Sequence, residues 1–163
     1  GVATGSDNGY SSTVIYLTIY VIMNLGAFSC IYFMRKNGNY LEKIDDLSGL
    51  SKDKPLLSLS FLVILFSLAG IPPLGGFFAK FYVFMAVIES EMYLLAIIGL
   101  ITTVISAFYY LKVIKIIYFD ENKIKFDQFK NFGAHSTIFI SCVILLTFFV
   151  YPSILNPIMD SLF

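Results

Sequence analysis

Residues 14–34 contain no charged side chain, and neither do residues 55–70, 92–111 and 136–155. Hydrocarbon about 30 Å thick is crossed by about 20 residues of helix, so runs of this kind decide what solvent the chain expects. Lipid offers no partner to backbone N–H and C=O groups, which leaves helices and closed barrels as the only spanning structures. These runs are too long, and alternate too little, to be barrel strands. The expected fold class is therefore all-α: a polytopic transmembrane bundle of about five helices in one membrane domain over residues 1–163. The helices are expected at about 14–34, 55–70, 74–88, 92–118 and 136–155.

Composition agrees: 58% of the residues are hydrophobic and 13% charged, against about 45–50% and about 25% in soluble domains. Formal net charge is zero and the cations lie between apolar runs, so no basic stripe invites nucleic acid. Cys30 and Cys142 sit inside apolar stretches and read as small buried hydrophobes; with a single histidine and no ligand-like spacing, a metal site is not expected. The chain opens on Gly1, and residues 1–12 are rich in Gly, Ser, Asp and Asn without the basic-then-apolar order of a signal peptide, so this stretch is expected to be an interior loop and the chain a fragment of a longer protein.

Arg35 and Lys36 end the first run, and Pro55 suits the first turn of the second, where its missing N–H is harmless. Pro152 and Pro157 close the last. The third is built differently. Residues 67–81 read SLAGIPPLGGFFAKF. Pro72 and Pro73 cannot continue the preceding helix, Gly75 and Gly76 loosen the next turn, and the apolar run then resumes up to Glu89 and Glu91, expected among headgroups. The segments at 37–54 and 120–135 read as short loops of mixed charge, residues 44–50 as a short surface helix or turn. Five Lys/Arg lie between positions 35 and 54 and five between 112 and 130. A five-span chain would put these loops on opposite sides, and the positive-inside rule would then return no orientation.

Lys80 is the one charge inside an apolar run. By helical rise it lies roughly 9 Å past Leu74 and roughly 13 Å before Glu89, which is mid-membrane. An ionisable group at that depth costs at least about 2.5–3.5 kcal/mol and usually faces a bundle interior or a water-filled path. An ammonium in a low-dielectric site can release and regain a proton under modest electrostatic bias, so Lys80 reads as a proton relay; the plainer alternative is a lysine whose stem snorkels to the interface. The Pro-Pro/Gly-Gly interruption before it matches the broken helices of transporter sites, and equally a tight turn between two helices. Ser67 and the serines of the second run can hydrogen-bond between helices or order water. Lys112 is a second candidate on the proton path, or a snorkelling cation with Lys115. Gly26-Ala27 permits a close helix crossing, Tyr109 and Tyr110 suit an aromatic belt, and His135 an interface. No nucleophile–base pair, phosphate loop or paired carboxylate points to substrate chemistry.

The stretch SLAGIPPLGGFFAKFYVF over residues 67–84 resembles the signature of the antiporter-like subunits of respiratory complex I and their multi-subunit cation/proton antiporter relatives. YVIMNLGAF at 20–28, DDLSGLSKDKP at 45–55 and SAFYYLKV at 106–113 are similar, in order and spacing, to the subunit N (subunit 2) pattern within that family. Phe81, where the related subunit L often has an acidic residue, also favours N or M. The resemblance implies a bundle of about fourteen helices with two inverted half-repeats, each holding a broken helix with a lysine or glutamate on the proton path. Lys80 matches the lysine of the second broken helix, and the first half would lie upstream of Gly1. It implies a translocase subunit of NADH:quinone oxidoreductase with no redox chemistry of its own. By that resemblance FMN, iron–sulfur clusters and quinone are expected on other subunits, and the expected partners are other membrane subunits of the complex, the bilayer and protons. The location implied is a bacterial inner membrane or a mitochondrial inner membrane, with the loop after the fourth run facing cytoplasm or matrix. Two alternatives stand beside it: a Na⁺/H⁺ antiporter subunit with no redox partner, and a membrane scaffold piece with an inert lysine.

Overall fold

The structure is a computed structural model that describes residues 1–121, 125–128 and 131–151, the side chains of 149 and 150 excepted. After a short 3-10 turn at Val2–Thr4 the chain forms α1 (Asp7–Tyr32), a hairpin of β1 (Arg35–Lys36) and β2 (Asn39–Tyr40), a 3-10 turn at Ile44–Leu47, α2 (Leu50–Asp53), α3 (Pro55–Ala69), α4 (Gly75–Glu89), α5 (Tyr93–Phe119) and α6 (Phe132–Val150).

Helix ends follow capping chemistry more than hydropathy. The segment expected as a loop over residues 1–12 is largely helical, because Ser6 caps α1: its hydroxyl accepts the Gly9 N–H at 3.1 Å, so the helix starts at Asp7, ahead of the apolar run. Likewise α6 starts at Phe132, where the Asn131 side chain accepts the Ala134 N–H at 3.1 Å. The far end of that run, with Pro152 and Pro157, lies outside the described residues.

The five expected helices are present as α1, α3, α4, α5 and α6, but they do not make five separate spans. α3 and α4 have 15 residues each, about 22 Å of rise apiece, too short to cross hydrocarbon separately. They lie in tandem along α1. Phe33, beyond the C-terminus of α1, stacks on His135 near the start of α6, and both line a cavity with Pro55 and Leu56 at the start of α3. Further down, Gly26 faces Ile64 and Ser141, and Gly75 faces Leu145 and Phe148. At the other end Asn8 donates to Glu89 at 3.4 Å. Together α3 and α4 therefore make one interrupted traverse beside the traverses α1, α5 and α6. α1 and α5, with 26 and 27 residues, are each long and apolar enough to cross alone.

One consequence is that both charged loops share a face. The Asp127 carboxylate accepts the N–H groups of Asn37 at 2.9 Å and Gly38 at 2.8 Å, while the Asp127 N–H donates to the Arg35 carbonyl at 2.9 Å. Asp53 accepts the Phe126 N–H at 3.0 Å, Lys54 donates to the Asp127 carbonyl, and the Gly49 N–H reaches Ile116 O at 3.1 Å. Asn37 and Gly38 have φ of 52° and 79°, the left-handed pair that a two-residue hairpin turn needs. The Arg35 guanidinium lies over the rings of Tyr32 and Tyr40, 4.7 and 4.1 Å from their centroids.

The interior holds Met23, Ile64, Ile117 and Leu145, each nearly inaccessible. Gly26 is where three helices meet: a Cβ there would lie 2.8 Å from Ile64 and 2.9 Å from Ser141, and Ser141 donates to the Ile22 carbonyl at 3.1 Å. Outside, large apolar side chains cover the helices, with Leu94 73% and Val104 70% exposed. A surface so apolar is covered by lipid or by other protein.

Candidate functional site

The site forms where α3 stops and α4 starts. Gly70 takes φ +81° and ends α3: its N–H reaches Phe66 O and Ser67 O, and the Ile71 N–H returns to Phe66 O at 3.0 Å. This C-terminal motif satisfies the carbonyls of Phe66 and Ser67 and leaves that of Leu68 without a backbone partner. Pro72 and Pro73 bring no N–H to the turn, and their peptide bond is cis. α4 then starts against the last turn of α3. The Gly76 N–H donates to Ser67 Oγ at 2.9 Å, and a Cβ on Gly76 would lie 1.9 Å from the Ser67 carbonyl oxygen. Glycine is therefore required at 76. At Gly75 a Cβ would lie 2.8 Å from the Phe148 ring, so this glycine admits α6.

Lys80, half-buried, turns back toward the break, and its Nζ donates to Leu68 O at 2.8 Å. The ammonium thereby takes the carbonyl left over by the α3 cap, at the helix end where the backbone dipoles favour a cation. Its stem packs on Gly70, whose absent side chain leaves room: a Cβ would be 3.2 Å from Lys80 Cδ. A neutral amine could donate to the same carbonyl, so the bond accepts either protonation state.

Two cavities meet at Lys80. One, about 260 Å³, lies between α1 and α5 and is lined by Leu68, Tyr16, Tyr20, Thr103, Ser106 and Tyr110, among others. The second, about 280 Å³, is walled by Phe77, Phe81, Phe84, Met85, Ile88 and Leu100, with Thr103 shared.

Of the residues singled out in the sequence, the structure brings together Lys80, Ser67, Gly75, Gly76, Pro72 and Pro73. Ser67 is fully buried and caps α4, so its oxygen is engaged in holding the break. Lys112 is exposed on α5, about two turns before the end of that helix, and lines neither cavity. Tyr110, expected in an aromatic belt with Tyr109, instead lines the polar cavity, while Tyr109 stays 62% exposed. Tyr16 and Thr103 drew no notice in the sequence; the spacing of 103, 106 and 110 along one helical face was the available signal. Among the described residues no group of three or more His, Cys, Asp or Glu could hold a metal.

A family model described as "NADH:quinone oxidoreductase/Mrp antiporter, TM" matches residues 1–106. NADH-quinone oxidoreductase subunit N of Pelagibacter ubique is 55% identical over 160 residues, covering 98% of this chain and 34% of that protein. The subunit N of Parvibaculum lavamentivorans is 48% identical over 153 residues, covering 94% of this chain and 32% of that protein. The chain thus spans about a third of the length of the curated relatives it matches. A chain in the solved structure of respiratory complex I from Thermus thermophilus with bound Aureothin superposes with a TM-score of 0.78 at 26% identity, over 90% of this chain and 34% of that one.

Proposed function

Since this chain belongs to the NADH:quinone oxidoreductase/Mrp antiporter transmembrane family, we propose that it is the part of a proton-translocating subunit of NADH:quinone oxidoreductase that carries one mid-membrane relay, Lys80. In this reading, redox energy released on other subunits, where flavin, iron–sulfur clusters and quinone reside, drives changes in the protonation of Lys80. No electron passes through this chain. Its partners are the rest of its own subunit and the other membrane subunits, in a bacterial or mitochondrial inner membrane.

The observation that carries the reading is the position of the Lys80 amine. It lies at the break of an interrupted traverse, held by one backbone carbonyl and open to a cavity with hydroxyls. Among the described residues its hydrogen-bond partner is the Leu68 carbonyl and no carboxylate forms an ion pair with it. The names of the relatives favour the redox complex over a Na⁺/H⁺ antiporter.

The orientation of the chain in the membrane is read from the shared loop face. Arg35, Lys36, Lys43, Lys52, Lys54, Lys115 and Lys125 lie on it, whereas the opposite ends of the helices carry Asp7, Glu89 and Glu91 and no described Lys or Arg. By the positive-inside rule this is the cytoplasmic or matrix face. A Lys43→Cys chain, treated with a membrane-impermeant thiol reagent, should react in inverted vesicles and stay unmodified in sealed spheroplasts; the opposite pattern would reverse the orientation.

The relay itself is tested in the whole complex. Lys80→Ala should abolish most coupled proton transfer into reconstituted vesicles, and Lys80→Arg should keep the charge while failing to release the proton. Wild-type pumping by both variants would end the relay reading. Sodium-dependent proton exchange without NADH would favour the antiporter instead.

A further inference from the structure

We infer that α5 supplies the proton access of Lys80: Thr103, Ser106 and Tyr110 line a hydrated path from the lysine toward the loop face, while the groove on its other side stays dry. The inference rests on the reading of Lys80 as a relay.

Three observations carry it. First, Thr103, Ser106 and Tyr110 stand at i, i+3 and i+7, one face of α5, and climb about 10 Å along it from the level of Lys80. Second, the hydroxyl hydrogens of Thr103 and Ser106 are already used, donated to Gly99 O at 2.9 Å and to Thr102 O at 2.9 Å. Their oxygens are left as acceptors for water, and the phenols of Tyr16 and Tyr110 supply groups that both donate and accept. A polar space of about 260 Å³ takes several waters. Third, the groove across Lys80 offers Phe77, Phe81, Phe84 and Leu100, and Thr103 is the one hydroxyl on its wall. Water entering that groove would find almost nothing to bond besides Lys80 and Thr103.

The transfer balances without any co-reactant. The Lys80 ammonium breaks one N–H bond as a water oxygen forms an O–H bond, and that water passes one of its own hydrogens to the next. Run backwards, the same steps recharge the amine from the loop face.

The test uses the whole complex in vesicles, with NADH oxidation and proton transfer measured together. In a Thr103→Val, Ser106→Ala, Tyr110→Phe variant, proton transfer per NADH should fall several-fold and its solvent deuterium isotope effect should rise; Ser106→Thr, which keeps a hydroxyl, should stay near wild type. Wild-type transfer in this triple variant, with Lys80→Ala inactive, would overturn the path and leave the relay standing. Wild-type transfer in Lys80→Ala would remove both. A second measurement does not depend on activity. In chains carrying Cys30→Ala and Cys142→Ala, Ser106→Cys should react with a small water-soluble thiol reagent many-fold faster than Phe84→Cys, read by mass spectrometry of this subunit. Equal or reversed reactivity would overturn the proposal.

Discussion

The Lys80 ammonium is bonded to the carbonyl of Leu68, a residue 12 positions earlier and on the other side of the helix break. The side chain that would carry the proton is thereby also a clamp between α3 and α4. A change in how Lys80 is held must be felt at the joint of the two half-helices, and a shift of the joint must be felt at the amine.

Gly70 tests that coupling. Its φ of +81° costs a side-chain-bearing residue roughly 1–2 kcal/mol, and an added Cβ presses on the Lys80 stem. Gly70→Ala should lower the thermal stability of the assembled subunit and reduce proton transfer in the same variant. Gly70→Asn, which tolerates the left-handed region better, should be milder on stability.

Gly76 and Gly75 should differ although they are neighbours. At 76 the obstacle is backbone, the Ser67 carbonyl oxygen at 1.9 Å, and cannot step aside. Gly76→Ala should cost at least about 1–3 kcal/mol by overpacking. At 75 the obstacle is the ring of Phe148, which a side-chain adjustment can move, so Gly75→Ala should be milder and relieved by Phe148→Leu. Thermal unfolding of the purified complex, followed through this subunit, measures both.

Ser67→Ala removes the acceptor of the Gly76 N–H and should cost roughly 0.5–2 kcal/mol, as the loss of a helix cap does. It leaves the Lys80–Leu68 bond in place. The expected result is lower stability with proton transfer per NADH retained. A selective loss of proton transfer at unchanged stability would instead put Ser67 on the path.

The loop face should respond to acid. The N–H groups of Gly38 and Asn37 on the Asp127 carboxylate hold its pKa below the ordinary value of 3.8. A lowered folded-state pKa means that the contribution is complete above the ordinary value and is lost as pH falls through the folded one. Hydrogen exchange at the Asn37 and Gly38 amides should therefore be slow at neutral pH and speed up below about pH 4, beyond the trend of neighbouring amides. Asp127→Asn should remove this excess and expose the hairpin at every pH.

How much could be read from the sequence depended on which force set each feature. The traverses α1 and α5 are visible because lipid requires uninterrupted apolar length. The tandem arrangement of α3 and α4 was not, since Pro72, Pro73 and the glycines suit a turn back as well as a step onward; the choice is made by Gly26, Gly75 and Glu89 meeting distant helices. That miss carried the error in loop sidedness with it. Residues 37–54 read only as a loop, although Asn37-Gly38 has the composition of a hairpin turn, and the clasp of that turn by Asp127 depends on a segment some 90 residues away. Lys80 stood out as a lone charge, but its partner is a main-chain oxygen, which no residue type reveals.

The clasp also bears on how the protein is made. Asp53 and the Asn37-Gly38 turn emerge from the ribosome early, yet the groups that bind them, Phe126 and Asp127, follow only after α5. Until then the Asn37 and Gly38 amides have no carboxylate, and the loop end of α3 is tied to α5 through the Gly49–Ile116 bond but lacks the Asp53–Phe126 one. Phe126 and Asp127 work as a closing stitch, so a nascent chain stalled after α5 would leave the hairpin turn open to water.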